Sequence, residues 1–585
     1  MAAFRHALAS THAHIHGATT TGSDDFFLGS EDALRSKDTL APSEQVVRAR
    51  VVPALKSALE KETNNDIVTA ALIALAKIGE VKREDGTTEL VPLFARFLAD
   101  SNQEIAETAA LSLGILANEA AIPVLTELAR DDASGRKRFA GREVPYRTRA
   151  FATYGLGLIG NRSASNTVRQ DVVRTLIGLL DKPDAAQRDV KVAALIAIGI
   201  VPLDADRGDG IAGRASAADS RRTQLEWLGR FFEDEKQHSL LRAHAPTAIA
   251  RLLAGAPAEQ RVAIAKRLLQ PLERHAKERD EVVQSCVLAL GQISDADDDE
   301  VDVVVRKALI EASQERDIQT RHFALIALGQ IGGRAGASKG EAEGAQQIRS
   351  HLLTSLTKGA APKRPWAALA IGVMERARSD AGLPVSTGAA VAKQALRSAL
   401  RDCVQASDLG AYAIALAIAR DLEAQALLGS KLAQISDPTA QGYVAVSLGM
   451  LGARDSIESI QALVRRSKYK PELLRQAAIG LGLLGDKTVV PELLQMMRDA
   501  KSQAVHAATA SGLGMIGDAR SIDPLVGMLE NLEITPTSRG FAAAALGIVA
   551  DKESLPWSTK ISLGINYRAT TSTLFDSGRG ILEIL

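Results

Sequence analysis

Aromatic residues are scarce, with Phe, Trp and Tyr making up 4% of the 585 residues. The 46% of hydrophobic residues is therefore carried mainly by Ala, Leu, Ile and Val. This excludes an interior organised around large rings and favours slim helices at short separations. Cysteine is nearly missing. Cys286 and Cys403 are 117 residues apart and neither has a CxxC partner, which excludes a disulfide framework and a thiolate metal site. Both read as core thiols. Net charge is missing too, since 70 Lys and Arg balance 70 Asp and Glu. Nothing marks the molecule as a whole as a polyanion binder, and any basic surface must be local. No apolar run reaches the roughly 18 to 20 residues that span a bilayer. The start, MAAFRHALASTHAHIHG, lacks the apolar core of roughly 7 to 15 residues that marks a signal peptide. The expectation is a cytoplasmic chain, or a secreted or periplasmic one if a leader has been removed.

What the sequence does have is a recurring glycine group. Gly155, Gly157 and Gly160, then Gly480, Gly482 and Gly485, then Gly512, Gly514 and Gly517 all show the GxGxxG spacing of a dinucleotide-binding turn. Such a turn needs a preceding strand and an acidic residue about 20 positions later. Here Ala and Leu at helical spacing precede the glycines. Aligning the copies places Gly452, Gly485, Gly517 and Ala550 in register at intervals of 33, 32 and 33 residues. Weaker copies continue upstream, and about thirteen units are recognisable. Each holds two apolar helical segments divided by Gly, Asp or Asn, so each reads as a helical hairpin. The glycines let neighbouring helices approach, the last one of a group suits a left-handed helix end, and Asp486 and Asp518 stand where the next helix needs its amides satisfied. The motif reads as architectural, and no cofactor is expected.

The LGxxGD...(V/I)(P)xL pattern, running from about Val46 to Trp557, resembles the HEAT-repeat family, in particular the bacterial HEAT-like subclass found in phycobilin lyases. The resemblance implies an all-α fold, a right-handed α-solenoid with its second helices on the concave face. Pro123, Pro491 and Pro524 fill the first-helix proline position in some units only. Three regions are expected: an N-terminal extension at 1–43, the solenoid at 44–555, and a capping segment or tail at 556–585.

One regularity goes beyond helix contact. Eight residues before a motif glycine stand Arg149, Lys191, Arg321, Arg364, His506 and Arg539. A cation near a helix start opposes the helix dipole and wants an acidic neighbour. Glu143, Glu315 and Glu533 precede three of them by six residues. Two readings stay open: an ion ladder between repeats, as the family resemblance implies, or a row facing the groove that binds an acidic partner.

The densest basic stretch holds Arg136, Lys137, Arg138, Arg142, Arg147 and Arg149 around Phe139 and Tyr146, the pattern a nucleic-acid contact would use. Its shortness and the flanking Asp131 and Asp132 favour a solvated insertion loop. His12, His14 and His16 would share one face of an extended segment and are a candidate metal site, although such a terminus lacks supporting ligands. GASKG at Gly336 to Gly340 matches a nucleophile elbow around Ser338 without the strand or the acid and base partners. The acidic run Asp295 to Asp302 lacks calcium-loop spacing and reads as a helix opener. These observations favour a non-catalytic scaffold or adaptor that binds a protein or peptide along its concave face. The alternatives are a nucleic-acid-binding repeat protein with a local basic surface and a lyase-like accessory subunit. No membrane span is expected.

Overall fold

The structure is a computed structural model. It describes residues 42–80, 87–181, 187–205, 216–253, 256–273, 276–337, 342–484, 486, 488–551 and 573. His12, His14, His16, Ser338, Gly485 and all of 556–585 except Thr573 lie outside these residues.

All regular structure among the described residues is helical, as expected, and it falls into two compact units. Among the described residues, one holds 42–252 together with 522–551 and 573, and the other lies within 253–521. The first unit begins with α1 (Val52–Lys61) and α2 (Asn65–Ile78), then α3 (Leu90–Ala95) and α4 (Gln103–Leu116). It continues with α5 (Ile122–Arg130) and α6 (Tyr146–Arg162), α7 (Asn166–Leu180) and α8 (Arg188–Ile200), and α9 (Arg221–Glu233) and α10 (Ala245–Leu252). The second unit runs through α11 (Ala258–Leu269) and α12 (Asp280–Ile293), α13 (Glu300–Ala312) and α14 (Ile318–Gly333), and α15 (Glu343–Lys358) and α16 (Arg364–Asp380). After these come α17 (Thr387–Asp402) and α18 (Ala406–Ile418), α19 (Gln425–Gln434) and α20 (Pro438–Met450), α21 (Ile457–Arg466) and α22 (Pro471–Leu483), and α23 (Val490–Asp499) and α24 (Gln503–Ile516). A last hairpin, α25 (Ile522–Glu530) and α26 (Pro536–Val549), returns to the first unit.

Even-numbered helices are the second helices of their hairpins. Within each unit, neighbouring second helices lie along one another, while the first helix covers its own partner. Side-chain caps start many of them: Asn64 accepts from the Asp66 amide at 3.0 Å, Asn102 from Glu104 at 3.0 Å, and Asp437 from Ala440 at 2.8 Å. The glycine groups are where second helices touch. A Cβ on Gly157 would lie 2.6 Å from that of Ala197 on the next second helix, and one on Gly480 would lie 2.6 Å from the Ala445 carbonyl oxygen. Only a hydrogen fits at these points, so the repeated GxGxxG is a helix contact.

Asp518 accepts the Arg520 amide at 2.9 Å and Asp486 the Thr488 amide at 3.0 Å, which starts the turn into the following first helix. Gly517 closes α24 at φ 65°, as its place in the motif predicts. Gly160 departs from that pattern, because α6 continues through it to Arg162. Cys286 is buried as expected, but Cys403 sits half-buried at the end of α17, where its thiol reaches the Gln405 carbonyl at 3.3 Å. The basic stretch also differs from a plain loop, since residues Ala133–Arg138 form a short helix capped by Asp132.

Within the first unit, hairpins from opposite ends of the sequence meet. Hairpin α25–α26 lies against α1–α2, with α26 along α2. The spacing of the repeats reports only neighbours in sequence and gave no sign of this contact.

Candidate functional site

A second helix begins beside the end of the first helix in its own hairpin, where the last carbonyls have no helical partner. Four residues of the basic row meet those carbonyls. Arg149, 3% exposed, donates from Nε to the Ala129 oxygen at 3.2 Å, and Arg539, 7% exposed, to the Leu529 oxygen at 2.7 Å. Arg364 is exposed and reaches the Gly359 oxygen at 2.8 Å. His506 is buried and hydrogen-bonds the backbone of Met497, and burial lowers its basicity. Lys191 and Arg321 are half-buried. Arg321 lies near Asp317.

Two further residues do the same work. Arg242 donates to the Phe232 oxygen at 2.7 Å, and Gln441 to the Ile435 oxygen at 2.7 Å. Arg242 stands eight residues before Ala250, in a unit that lacks the motif glycine and so offered no reference point. Gln441 stands eight before Gly449 but carries no charge. The shared requirement at this position is a long side chain with an N–H donor, and the positive charge adds attraction to the negative helix end.

Contacts between hairpins use other residues at the starts of the second helices. Asn65 donates to Glu104 at 3.1 Å, and Gln284 to Asp317 at 2.9 Å. Arg147 pairs with Glu107 at 3.0 Å, both largely buried, and lies 5.7 Å above the Phe151 ring. His322 stacks on Trp366 with centroids 4.4 Å apart. Arg539 has both roles, because it also pairs with Glu62 of the neighbouring hairpin.

In the basic stretch, Arg136 pairs with Asp131, Arg138 with Glu127 at 3.4 Å, and Arg142 donates to the Phe139 carbonyl at 3.3 Å. Asp131 also accepts the Val144 amide at 2.9 Å, which ties the stretch back on itself. Lys137 is exposed on the short helix. Carboxylates thus neutralise Arg136, Arg138 and Arg147 within the fold.

The acidic run does open a helix, since Asp299 caps α13 by accepting the Asp302 amide at 3.0 Å. It also gathers Asp295, Asp297 and Asp302, whose oxygens come within 4.8 Å of one another, close enough to share a cation. Protein donors already occupy this cluster. Arg261 reaches Asp295 at 2.9 Å and Asp302 at 3.1 Å, and the Ala337 amide reaches Asp297 at 3.1 Å. Burial, then Asp295, pushes the Asp302 carboxyl up to about 7. The sequence gave no hint of this convergence, which joins the acidic run to Arg261 of the preceding hairpin.

On α6 and α8 a residue from far along the chain is held. Thr573 is fully buried, and its backbone amide donates to the Asp189 carboxylate at 3.2 Å. The hydroxyl of Tyr154, fully buried beside Thr573, is made a weaker acid by that burial.

Two stretches, residues 52–144 and 460–534, match the family described as HEAT repeats. No curated protein matches the chain. Among solved structures, importin beta is similar at 14% identity and a TM-score of 0.34, over 85% of this chain and 74% of that one. The CpcE and CpcF complex of phycocyanin lyase from Nostoc sp. PCC7120 is similar at 16% identity and 0.30, over 55% of this chain and 98% of that one. Human deoxyhypusine hydroxylase is similar at 19% identity and 0.22, over 51% and 96%. Among the described residues, no helix is long and apolar enough to cross a membrane.

Proposed function

We propose that this chain, which carries HEAT repeats, is a non-catalytic scaffold or adaptor that holds an extended protein segment against its second helices. One contact carries the reading: the Thr573 amide on the Asp189 carboxylate, buried against Tyr154 on the second-helix face. A charged acceptor aimed at a backbone N–H recognises polypeptide whatever its side chain, and does so through the stronger kind of hydrogen bond. The basic stretch supports nucleic acid less well, because three of its arginines are paired with carboxylates.

The test uses the full-length chain and a labelled synthetic peptide of residues 566–580. In Thr573→Pro the donor is gone, which releases the position on α6 and α8. The peptide is expected to bind this variant saturably in fluorescence anisotropy. Binding to the unaltered chain should be weaker by about tenfold or more, because the covalently attached segment competes at high effective concentration. Adding Asp189→Ala to Thr573→Pro should remove the binding. No saturable binding to Thr573→Pro, or equal binding with and without Asp189, would rule out this site.

A further inference from the structure

The unit of residues 42–252 is completed by a segment from the other end of the chain. The chain leaves it after Leu252 and re-enters at Ile522. The returning hairpin, α25–α26, makes with α1–α2 the contact that consecutive hairpins make elsewhere. A Cβ on Gly547 would lie 2.6 Å from the Ala74 Cα, just as one on Gly199 would lie 2.7 Å from the Ala248 Cα. Gly540 sits on the backbone of Asp66, where a Cβ would come 2.8 Å from the carbonyl oxygen.

Polar pairs fix the register. Arg539 meets Glu62, Thr537 donates to Asp66, and Lys77 pairs with Asp551 at 3.6 Å with both side chains buried. At the exposed rim Arg50 pairs with Asp523 at 2.8 Å, across 473 residues of sequence.

Surface complementarity specifies this contact, because the partners are too distant in sequence for connectivity to impose it. Every copy of the chain presents both halves. We propose that α25–α26 is exchangeable between copies: the hairpin of one molecule docks on Glu62, Asp66 and Ala74 of a second, with the contacts seen within one chain. Exchange of an identical element reuses an existing interface and needs no new surface. The tether favours docking within one chain at low concentration, and docking between chains grows as concentration rises.

Two full-length populations test this, one carrying Arg50→Cys and the other Asp523→Cys, both with Cys403→Ser and with the buried Cys286 retained. They are mixed, incubated over a range of protein concentrations and treated with a short bismaleimide. The expected result is a double-length product on a denaturing gel that needs both populations and increases with concentration. Gly547→Leu in both populations should abolish it while circular dichroism shows the helical content retained. The double variant Arg50→Cys/Asp523→Cys should cross-link internally, which establishes that the thiols are in reach. Internal cross-linking with no double-length product from the mixture at any concentration would overturn the proposal. A product that survives Gly547→Leu would also overturn it, because collision rather than docking would then be its source.

Discussion

The guanidinium of Arg149 donates from Nε to the carbonyl oxygen of Ala129 at 3.2 Å, so a cation at the start of one helix serves the open end of the helix before it. Replacing Arg149 with Met removes the donor and leaves a buried carbonyl unsatisfied, which costs about 1–3 kcal/mol. Arg149→Gln should cost less, because Gln441 makes the same contact with Ile435. Urea unfolding of both variants checks this, and equal losses would show that the charge rather than the donor matters.

The glycine contacts give a paired prediction. A Cβ on Gly329 would lie 2.4 Å from the Ala370 carbonyl oxygen, whereas one on Gly178 of α7 would meet nothing within 4 Å. Gly329→Ala is expected to destabilise by about 1–3 kcal/mol through overpacking. Gly178→Ala is expected to stabilise by about 0.5–1 kcal/mol, because alanine loses less backbone freedom in a helix. Thermal unfolding of the two variants should move in opposite directions.

Arg147 and Glu107 are a largely buried pair at 3.0 Å between α4 and α6. Glu107→Ala leaves Arg147 charged with no carboxylate and should cost about 3–5 kcal/mol, whereas replacing both by Met should recover most of the loss. A double-mutant cycle in urea measures the coupling. A double variant no more stable than Glu107→Ala would show that the pair is not the source of the cost.

The acidic cluster predicts a pH dependence of definite sign. The folded Asp302 carboxyl, pushed up to about 7, holds its proton more tightly than the unfolded chain does. Its contribution is therefore largest at acidic pH and is lost as pH rises toward 7. Half-buried His322 and His351, each lowered to about 4, oppose this because they resist protonation in the fold. Comparison with Asp302→Asn isolates the carboxyl. The urea midpoint of the parent should gain on that of the variant between about pH 8 and about pH 5, and a difference that does not change with pH would contradict the assignment.

How far the sequence could be read depended on whether a feature recurred. Gly157 and Gly480 were legible because the same helix contact is made many times and each copy needs the same small residue. Arg149 and Arg539 are legible because they stand eight residues before such glycines, but spacing does not say where a guanidinium points. Arg242 leaves no mark at this spacing because Ala250 replaces the glycine of its unit, and Gln441 leaves none because it carries no charge. The cluster of Asp295, Asp297 and Asp302 closes only when Arg261 and Ala337 arrive from separate hairpins, and no repeating spacing announces it.

By itself the sequence determined a stack of helical hairpins, because periodic Ala and Leu bury one helix face and recurring glycine sets the distance to the next hairpin in sequence. Only the tertiary structure decided which hairpin lies beside the first, since the contact of Gly547 with Ala74 depends on two surfaces that no local spacing connects. The tertiary structure also directed the buried guanidiniums of Arg149 and Arg539 to carbonyls within their own hairpins. The physical reason is burial: a guanidinium held at the end of a neighbouring helix is stabilised by bonding the nearest unsatisfied oxygen, and which oxygen is nearest follows from how the two helices pack.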